Sequence, residues 1–349
     1  MSITVRRIAV LATAAALAAS AAACSSSKSS GSKPASQGTN TGAAALAGEA
    51  SVTIRIPDPG NSGALALGKK DGSLAAALAK AGAKVEWTGS AGAFAPAAQE
   101  LDANQLDVAE GSITSAIAAL AQKPGFKLFA AVAPDKTGEG ILVKDNSGIN
   151  SIADLAGKKV VVWHGGSSEY LLLKALAKNN VPVASVERVY LQPNQSAAVL
   201  HSGQVEAWAT WATFSISERA NAGEHFLATG GDIGSQNYAV WAVRNDFATQ
   251  HPAVVKAFYD YLHEAEAKQA QNPEPYLNVF HTSGPDAVSG KEKDLTIENY
   301  KTGSPTSQIT DADLVNFKEV AQFFADQKVT PGVVDVAPSV LDVTKLAGS

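Results

Sequence analysis

Apolar residues in this chain gather in short, regularly spaced runs from Val52 onward. Val52–Ile56, Lys84–Trp87, Asp107–Ala109, Leu128–Val132, Ile141–Val143, Val160–Trp163, Arg188–Leu191, Val205–Ala209 and Tyr238–Val243 are brief and rich in branched or aromatic side chains, as strands are. Between them lie longer stretches whose apolar positions recur at helical spacing. This alternation predicts an α/β architecture with largely parallel sheets. Toward the C-terminus the strand signal disappears and helices are predicted, among them Pro252–Gln271 and Asp311–Lys328. A body of about 300 residues suggests two domains. An internal echo agrees: "LDANQLDVAEGS" from Leu101 and "LHSGQVEAWATW" from Leu200 both read Leu-x-x-x-Gln, a branched apolar residue, an acid, and a strand. Two similar α/β lobes in series would give such an echo. Ligands of open α/β sheets bind beyond the carboxyl ends of the strands, so two such lobes facing each other would form a cleft.

The N-terminal pattern is different. Arg6 and Arg7 precede the alanine-rich run Ile8–Ala23, which is short for a membrane span and has the build of a secretory signal over residues 1–23. It ends at Ala21–Ala22–Ala23–Cys24, which resembles a bacterial lipobox, although alanine stands where leucine is usual. The expectation is cleavage before Cys24 and lipidation of its thiol; an incidental cysteine beside an ordinary cleavage site is the alternative. Residues 24–51 are serine, glycine, alanine and lysine with almost no large apolar side chain, a flexible tether about 25–30 Å in root-mean-square length.

Composition removes several classes of function. The formal net charge is −5 with no basic patch, so a nucleic-acid partner is not expected. Cys24 is the only cysteine, which excludes an internal disulfide and leaves the folded body without a thiol catalyst. His164 lies three residues before Ser167, which allows a secreted hydrolase using that pair. However, no Gly-x-Ser-x-Gly elbow surrounds the serine. "HEAEA" at His263 lacks the second histidine of a zinc helix, and no glycine-rich phosphate loop occurs. No cofactor, metal or catalytic residue is expected.

The stretches "KVEWTGSAGAFAPAAQELDANQLDVAEGS", "GILVKDNSGINSIADLAGKKVVVWHGGSSEYLLLKAL", "QVEAWATW" and "NYAVWAVRNDFATQHPAVVKAF" resemble, in order, the aliphatic sulfonate/taurine/nitrate group of ABC-transporter solute-binding proteins. The resemblance implies a two-lobe, type II periplasmic-binding-protein fold: two mixed sheets flanked by helices, joined by two crossovers near Lys136–Ile141 and Gln236–Val243. Lobe 1 would comprise residues 52–137 and 243–349, with lobe 2 inserted as 138–242. It also implies a monomeric receptor on the extracytoplasmic face, anchored by lipid, closing on a small solute and passing it to the transmembrane subunits of an ABC permease.

The same resemblance suggests where solute would be held, and shows where the chain departs from its relatives. Asn61 and Ser62 fall in the first ligand loop, although a plain turn accounts equally for the prolines and glycines of residues 57–63. Ser90 and Gly92 precede a helix beginning near Phe94; their N–H groups would face solute with Phe94 as an apolar wall, or simply cap the helix. Ser112, Thr114 and Ser115 replace a family pattern of glycine, an acid or amide, threonine and two prolines, and offer uncharged donors for an anion. In "HGGSSEYLLLKAL", Gly165 and Gly166 would let helix N–H groups meet the solute, with Ser167 or Ser168 as N-cap. Glu169 stands where a histidine is frequent. If exposed it would complement the helix dipole; if buried it would repel a sulfonate and favour an amine or a neutral solute. Trp208, Trp211 and Phe214 form a stripe of core type, from which Trp211 is excepted because it matches the family's ligand tryptophan. Ala212 and Thr213 stand where Asp-Pro is common. Asn237 and Tyr238 lie at the second crossover. The expected solute is sulfonate-like, with amine-bearing, pyrimidine or neutral solutes as alternatives.

Overall fold

A computed structural model describes residues 52–89, 92–122 and 124–346 of the chain. The expected signal, the tether, Cys24 and Ser90 lie outside the described residues. The first lobe opens with β1 (Val52–Pro57), α1 (Ala64–Asp71), α2 (Ser73–Lys80), β2 (Ala83–Thr88), α3 (Phe94–Asp102), β3 (Val108–Ser112), α4 (Ile113–Leu120) and β4 (Phe126–Val132). The second contains β5 (Gly140–Lys144), β6 (Lys159–Val162), α5 (Ser167–Lys178), β7 (Glu187–Tyr190), α6 (Pro193–His201), β8 (Ala207–Thr210), α7 (Ala212–Asn221), β9 (Glu224–Thr229) and the short α8 (Gly230–Ile233). The chain then returns through β10 (Ala239–Arg244), α9 (Asn245–Gln250), α10 (Pro252–Gln271), α11 (Gly290–Thr302) and α12 (Asp311–Asp326).

All nine runs read as strands are strands, but the sheets are not largely parallel. β1–β2, β6–β7 and β6–β8 pair in parallel, whereas β10 runs antiparallel to β3 and β4, and β5 antiparallel to β8 and β9. The two strands leaving the crossovers, β5 and β10, run against their neighbours and make both lobes mixed. β10 pairs with β3 and β4, so the return to the first lobe comes before Ala239, and not at residue 243 as the sequence suggested.

There are three sheets rather than two, in the orders β1-β2, β3-β10-β4 and β7-β6-β8-β5-β9. The first lobe's sheet is interrupted between β1 and β3. There the Asp107 carboxylate accepts from Arg55 N at 2.8 Å while Asp107 N donates to Arg55 O at 3.1 Å. A side chain takes the place of a ladder carbonyl. The internal echo lands on the same device in the second lobe: Glu206 Oε2 accepts from Lys159 N at 2.8 Å and Glu206 N donates to Lys159 O at 3.0 Å. In both copies the preceding helix ends through a residue with positive φ, Asn104 or Gly203, which reverses the chain into the strand.

Separate apolar clusters fill the two lobes. One side of the first lobe holds Ile54, Ile56, Val108, Trp241 and Phe258; the other holds Phe94, Ile117, Val240, Phe317 and Phe324. Ile141, Val160, Leu172 and Ala209 belong to the second lobe's core. Leu171, Leu172 and Leu173 of α5 are all buried, because that helix is covered by its own sheet on one side and by the first lobe on the other. Tyr170 makes the second contact, edge-on to Phe323 at 5.6 Å and Phe324 at 6.0 Å between ring centroids.

Candidate functional site

Strands β3, β6 and β8 each lead within a few residues into a helix, so the N-termini of α4, α5 and α7 gather at the lobe junction. Ser112 caps α4, its Oγ accepting from Ser115 N at 3.2 Å and touching Thr114 Oγ1 at 2.8 Å. The echo aligns Ser112 with Trp211, and Trp211 is the N-cap residue of α7. It is half-buried against Phe214, at 5.1 Å between ring centroids; Thr213 beside it is exposed, and Trp208 lies in the core as expected for the stripe.

The turn into α5 departs from expectation in its capping. Gly166, and neither serine, occupies the N-cap position, and Ser167 and Ser168 are the first two residues of the helix. Ser168 Oγ instead accepts from Trp163 N at 2.5 Å and so fixes the end of β6. Gly165 has φ 67°, a conformation that favours glycine. Gly166 is small for another reason: a Cβ there would lie 2.6 Å from the Trp163 ring and 3.3 Å from Ser115 Oγ of the opposite lobe. The starts of α4 and α5 therefore meet face to face, Ser115 of one beside Gly166 of the other, and each first turn carries N–H groups that lack an intrahelical partner.

Glu169 is buried and its charge is already matched. Its oxygens accept from Gly165 N at 2.8 Å, Arg188 Nη1 at 2.7 Å and Tyr190 OH at 2.7 Å, and His164 Nδ1 lies at 3.1 Å. The carboxylate thus holds the glycine turn from behind. His164 belongs to this cluster, and among the described residues it makes no hydrogen bond to Ser167.

Behind the meeting helices, the crossovers are tied together. Asn237 accepts from Thr114 Oγ1 at 2.9 Å and donates to Glu139 Oε2 at 2.9 Å, while Ser235 Oγ donates to Glu139 Oε1 at 2.5 Å. Gly230 N and Gly231 N donate to Glu139 O and Lys136 O, and a Cβ at Gly230 would strike Asp135 O at 2.7 Å. Burial, offset only in part by the Ser235 and Asn237 donors, pushes the Glu139 carboxyl from its ordinary 4.5 to about 7. Because the folded-state value is raised, the stabilising contribution is complete below pH 4.5 and is lost as pH rises through 7, a swing of about 3 kcal/mol. Thermal unfolding at pH 5 and pH 8 should therefore show a smaller pH-dependent loss in Glu139→Gln than in the parent chain. Equal losses would show that Glu139 does not titrate across this range.

Several expected contacts have other work. The Asn61 amide accepts from Phe280 N and His281 N and donates to His281 O and Asp286 O, pinning a distant loop; Ser62 beside it is half-buried. Gly92 is exposed, and Phe94 is core, edge-on to Phe126 at 5.4 Å. Tyr238 packs on Phe317 and accepts from Asn316 Nδ2 at 2.8 Å, facing α12. Ser112, Thr114, Ser115, Gly165, Gly166 and Asn237 are brought together; Asn61, Gly92, Phe94 and Tyr238 are not part of that group.

Two residues missed in the sequence belong here. Trp163 is half-buried over Gly166. Glu110 lies two residues before Ser112 on the same face of β3 and remains open to water, yet burial, and then the charge of Glu266, push its carboxyl up to about 7. Its position two residues before a helix-starting serine was the available signal. A recess of about 500 Å³ lies between β7 and the end of α12, lined by Arg188, Tyr190 and Lys328. It is open, and Arg188 and Tyr190 are already bound to Glu169, so the helix junction is the better site.

The family described as NMT1/THI5 like matches residues 79–275 of the chain. A protein of Escherichia coli (strain K12), provisionally named an aliphatic sulfonates-binding protein, is 28% identical over 321 residues, covering 87% of this chain and 97% of that protein. The alkanesulfonate-binding protein SsuA of Xanthomonas axonopodis pv. citri, bound to MOPS, superposes with a TM-score of 0.75 at 22% identity over 83% of this chain and 98% of that one. The desulfurization enzyme DSZB shares the fold with a TM-score of 0.60 at 18% identity over 83% and 96% of the two chains.

Proposed function

We infer the role of this chain from one premise, that it belongs to the NMT1/THI5-like family. It is a solute-binding receptor of an ABC importer, working on the extracytoplasmic side and handing a small solute to permease subunits. The observation that carries this reading is the meeting of the α4 and α5 N-termini from opposite lobes in front of a hinge tied by Glu139, Asn237 and Thr114. Converging N–H groups and serine hydroxyls hold a sulfonate-like head without a cationic partner. The shared fold leaves enzymes open, but residues 52–349 contain no cysteine, and His164 is engaged by Glu169. Binding without chemistry suits these groups better.

Glu110 favours a second reading, in which the solute also carries an amine. The Glu110 carboxylate is exposed on the face of β3 that carries Ser112, where an ammonium group placed against it would be paired. A thermal-shift screen should include taurine, alkanesulfonates of the same length, nitrate, amines and pyrimidines. A ligand present at a hundred times its Kd adds about 2.7 kcal/mol. Under the amine reading, Glu110→Gln weakens taurine by at least tenfold and leaves an alkanesulfonate unchanged; equal effects on both would remove it. If no sulfonate binds, the sulfonate assignment fails.

The monomeric receptor is further proposed to be held at the membrane by lipid on Cys24; no helix among the described residues is long and apolar enough to cross a bilayer. Cys24→Ala should abolish labelling by a clickable fatty acid and release the protein from the membrane fraction. Retention of both would refute the anchor.

A further inference from the structure

At the end of the second lobe away from the crossovers, three ligand-type side chains converge. His201 closes α6, Glu218 lies on α7, and Glu224 opens β9. His201 Nε2 is 2.6 Å from Glu218 Oε2 and 3.4 Å from Glu224 Oε1, and one ligand atom from each residue lies within 4.8 Å of the others. Glu224 makes this more than a cluster of acids. Its side chain is fully buried, and among the described residues neither carboxylate oxygen accepts from a nitrogen donor; only the neighbouring Glu218 carboxyl can share a proton with it. A buried carboxylate with no such donor is costly, and the nearest nitrogen, on His201, is already directed at Glu218. The adjacent cation, Lys144, is engaged elsewhere, its Nζ donating to His201 O at 2.7 Å.

We propose that His201, Glu218 and Glu224 bind a divalent transition-metal ion of the zinc class. One imidazole and two carboxylates suit zinc, whereas calcium and magnesium prefer all-oxygen shells with more ligands. Bonds of 2.0–2.1 Å in a tetrahedral shell separate neighbouring ligand atoms by about 3.3 Å. The Glu224 contact already has that spacing, and the His201–Glu218 hydrogen bond opens by about 0.7 Å as metal displaces its proton. The His201 side chain is 45% exposed, which provides an entry path and room for water as fourth ligand. Its place in the last turn of α6 adds the negative end of a helix dipole.

The site is separate from the solute cleft. Lys144 pairs with Glu224 at one end of the β5–β9 ladder and Gly140 with Thr229 at the crossover end, five residues or about 16 Å away. Bound metal would fasten α6, α7 and β9 together and so steady the helix whose other end carries Trp211.

Isothermal titration of the purified full chain with zinc at pH 7.5 tests this directly. The expected result is one equivalent bound with micromolar or tighter Kd. His201→Ala and Glu224→Gln should each weaken it at least tenfold. His225→Asn, which alters the neighbouring exposed His225–Asp145 pair, should not change it. Cobalt should give visible bands of a four- or five-coordinate ion that disappear in His201→Ala. No uptake by the parent chain, or uptake undiminished in His201→Ala, overturns the proposal. If Glu224→Gln does not fold, the exposed His201 variant decides.

Discussion

Gly166→Val should leave the solute-free protein folded and weaken solute binding at least a hundredfold, or about 2.7 kcal/mol. The effect is steric. Gly166 has φ −109°, which any residue adopts, so no backbone strain accompanies the change. Its new methyl groups would extend past a Cβ position already 2.6 Å from the Trp163 ring and 3.3 Å from Ser115 Oγ across the cleft. Trp163 must turn aside, and the α4 and α5 N-termini can no longer approach. A hinged receptor holds its ligand through contacts from both lobes made together, so this wedge removes one set of contacts. Titration calorimetry with the solute found by screening gives the affinity. Small-angle scattering should show solute-dependent compaction in the parent chain and none in the variant. Unchanged affinity would mean that the helix junction does not hold the solute.

Much of this site was legible because its logic is local. A strand that ends in glycines and serines and passes at once into an apolar helix exposes N–H groups wherever the fold puts it, and that pattern marked Gly165 and Gly166, whereas Ser112, Thr114 and Ser115 were marked by the family resemblance and by their uncharged donors. The fold was legible for the same reason: β-branched runs and helical periodicity report burial on one or two faces. β9 was missed because it is an edge strand with only Glu224 buried, and "EHFLAT" shows no alternation and no β-branched residue before Thr229. Partners distant in sequence were not legible at all. Asn61 and Ser62 occupy a plausible ligand loop, but the Asn61 amide is saturated by a segment 220 residues away. Glu169 presented two alternatives, exposed or buried, and burial came with Arg188 and Tyr190, whose register beside α5 depends on β7 pairing with β6. Its charge is therefore neutralised locally and does not select the solute as an unpaired buried acid would.

The echo between Leu101 and Leu200 carried more information than its length suggested, and it leads to the last expected result. Asp107 and Glu206 staple equivalent strands, yet their surroundings differ. The Asp107 side chain is fully buried, and beyond Arg55 N it accepts from Arg55 Nε and Nη2 and from Arg244 Nε and Nη2. Burial alone would raise the Asp107 carboxyl, but the hydrogen bonds from Arg55 and Arg244 overcome it and hold the group below the usual carboxylate range. Asp107→Ala therefore leaves two arginines short of a partner and breaks the junction between β1 and β3, at a cost of about 3 kcal/mol. Glu206 is only half-buried and makes one such contact, so Glu206→Ala should cost about 1 kcal/mol or less. The pH dependence has its own sign. A depressed carboxyl contributes stability above its unfolded value near 3.9 and loses it as pH falls through the lower folded value. Denaturant unfolding at pH 7 and pH 3 should thus show the gap between Asp107→Ala and the parent narrowing in acid. Asp107 also leads into β3, whose last residue Ser112 caps α4, so Asp107→Ala should weaken solute binding as well, and Glu206→Ala should not. Equal destabilisation by the two variants would mean that the backbone contact they share, and not the arginine pair, carries the energy.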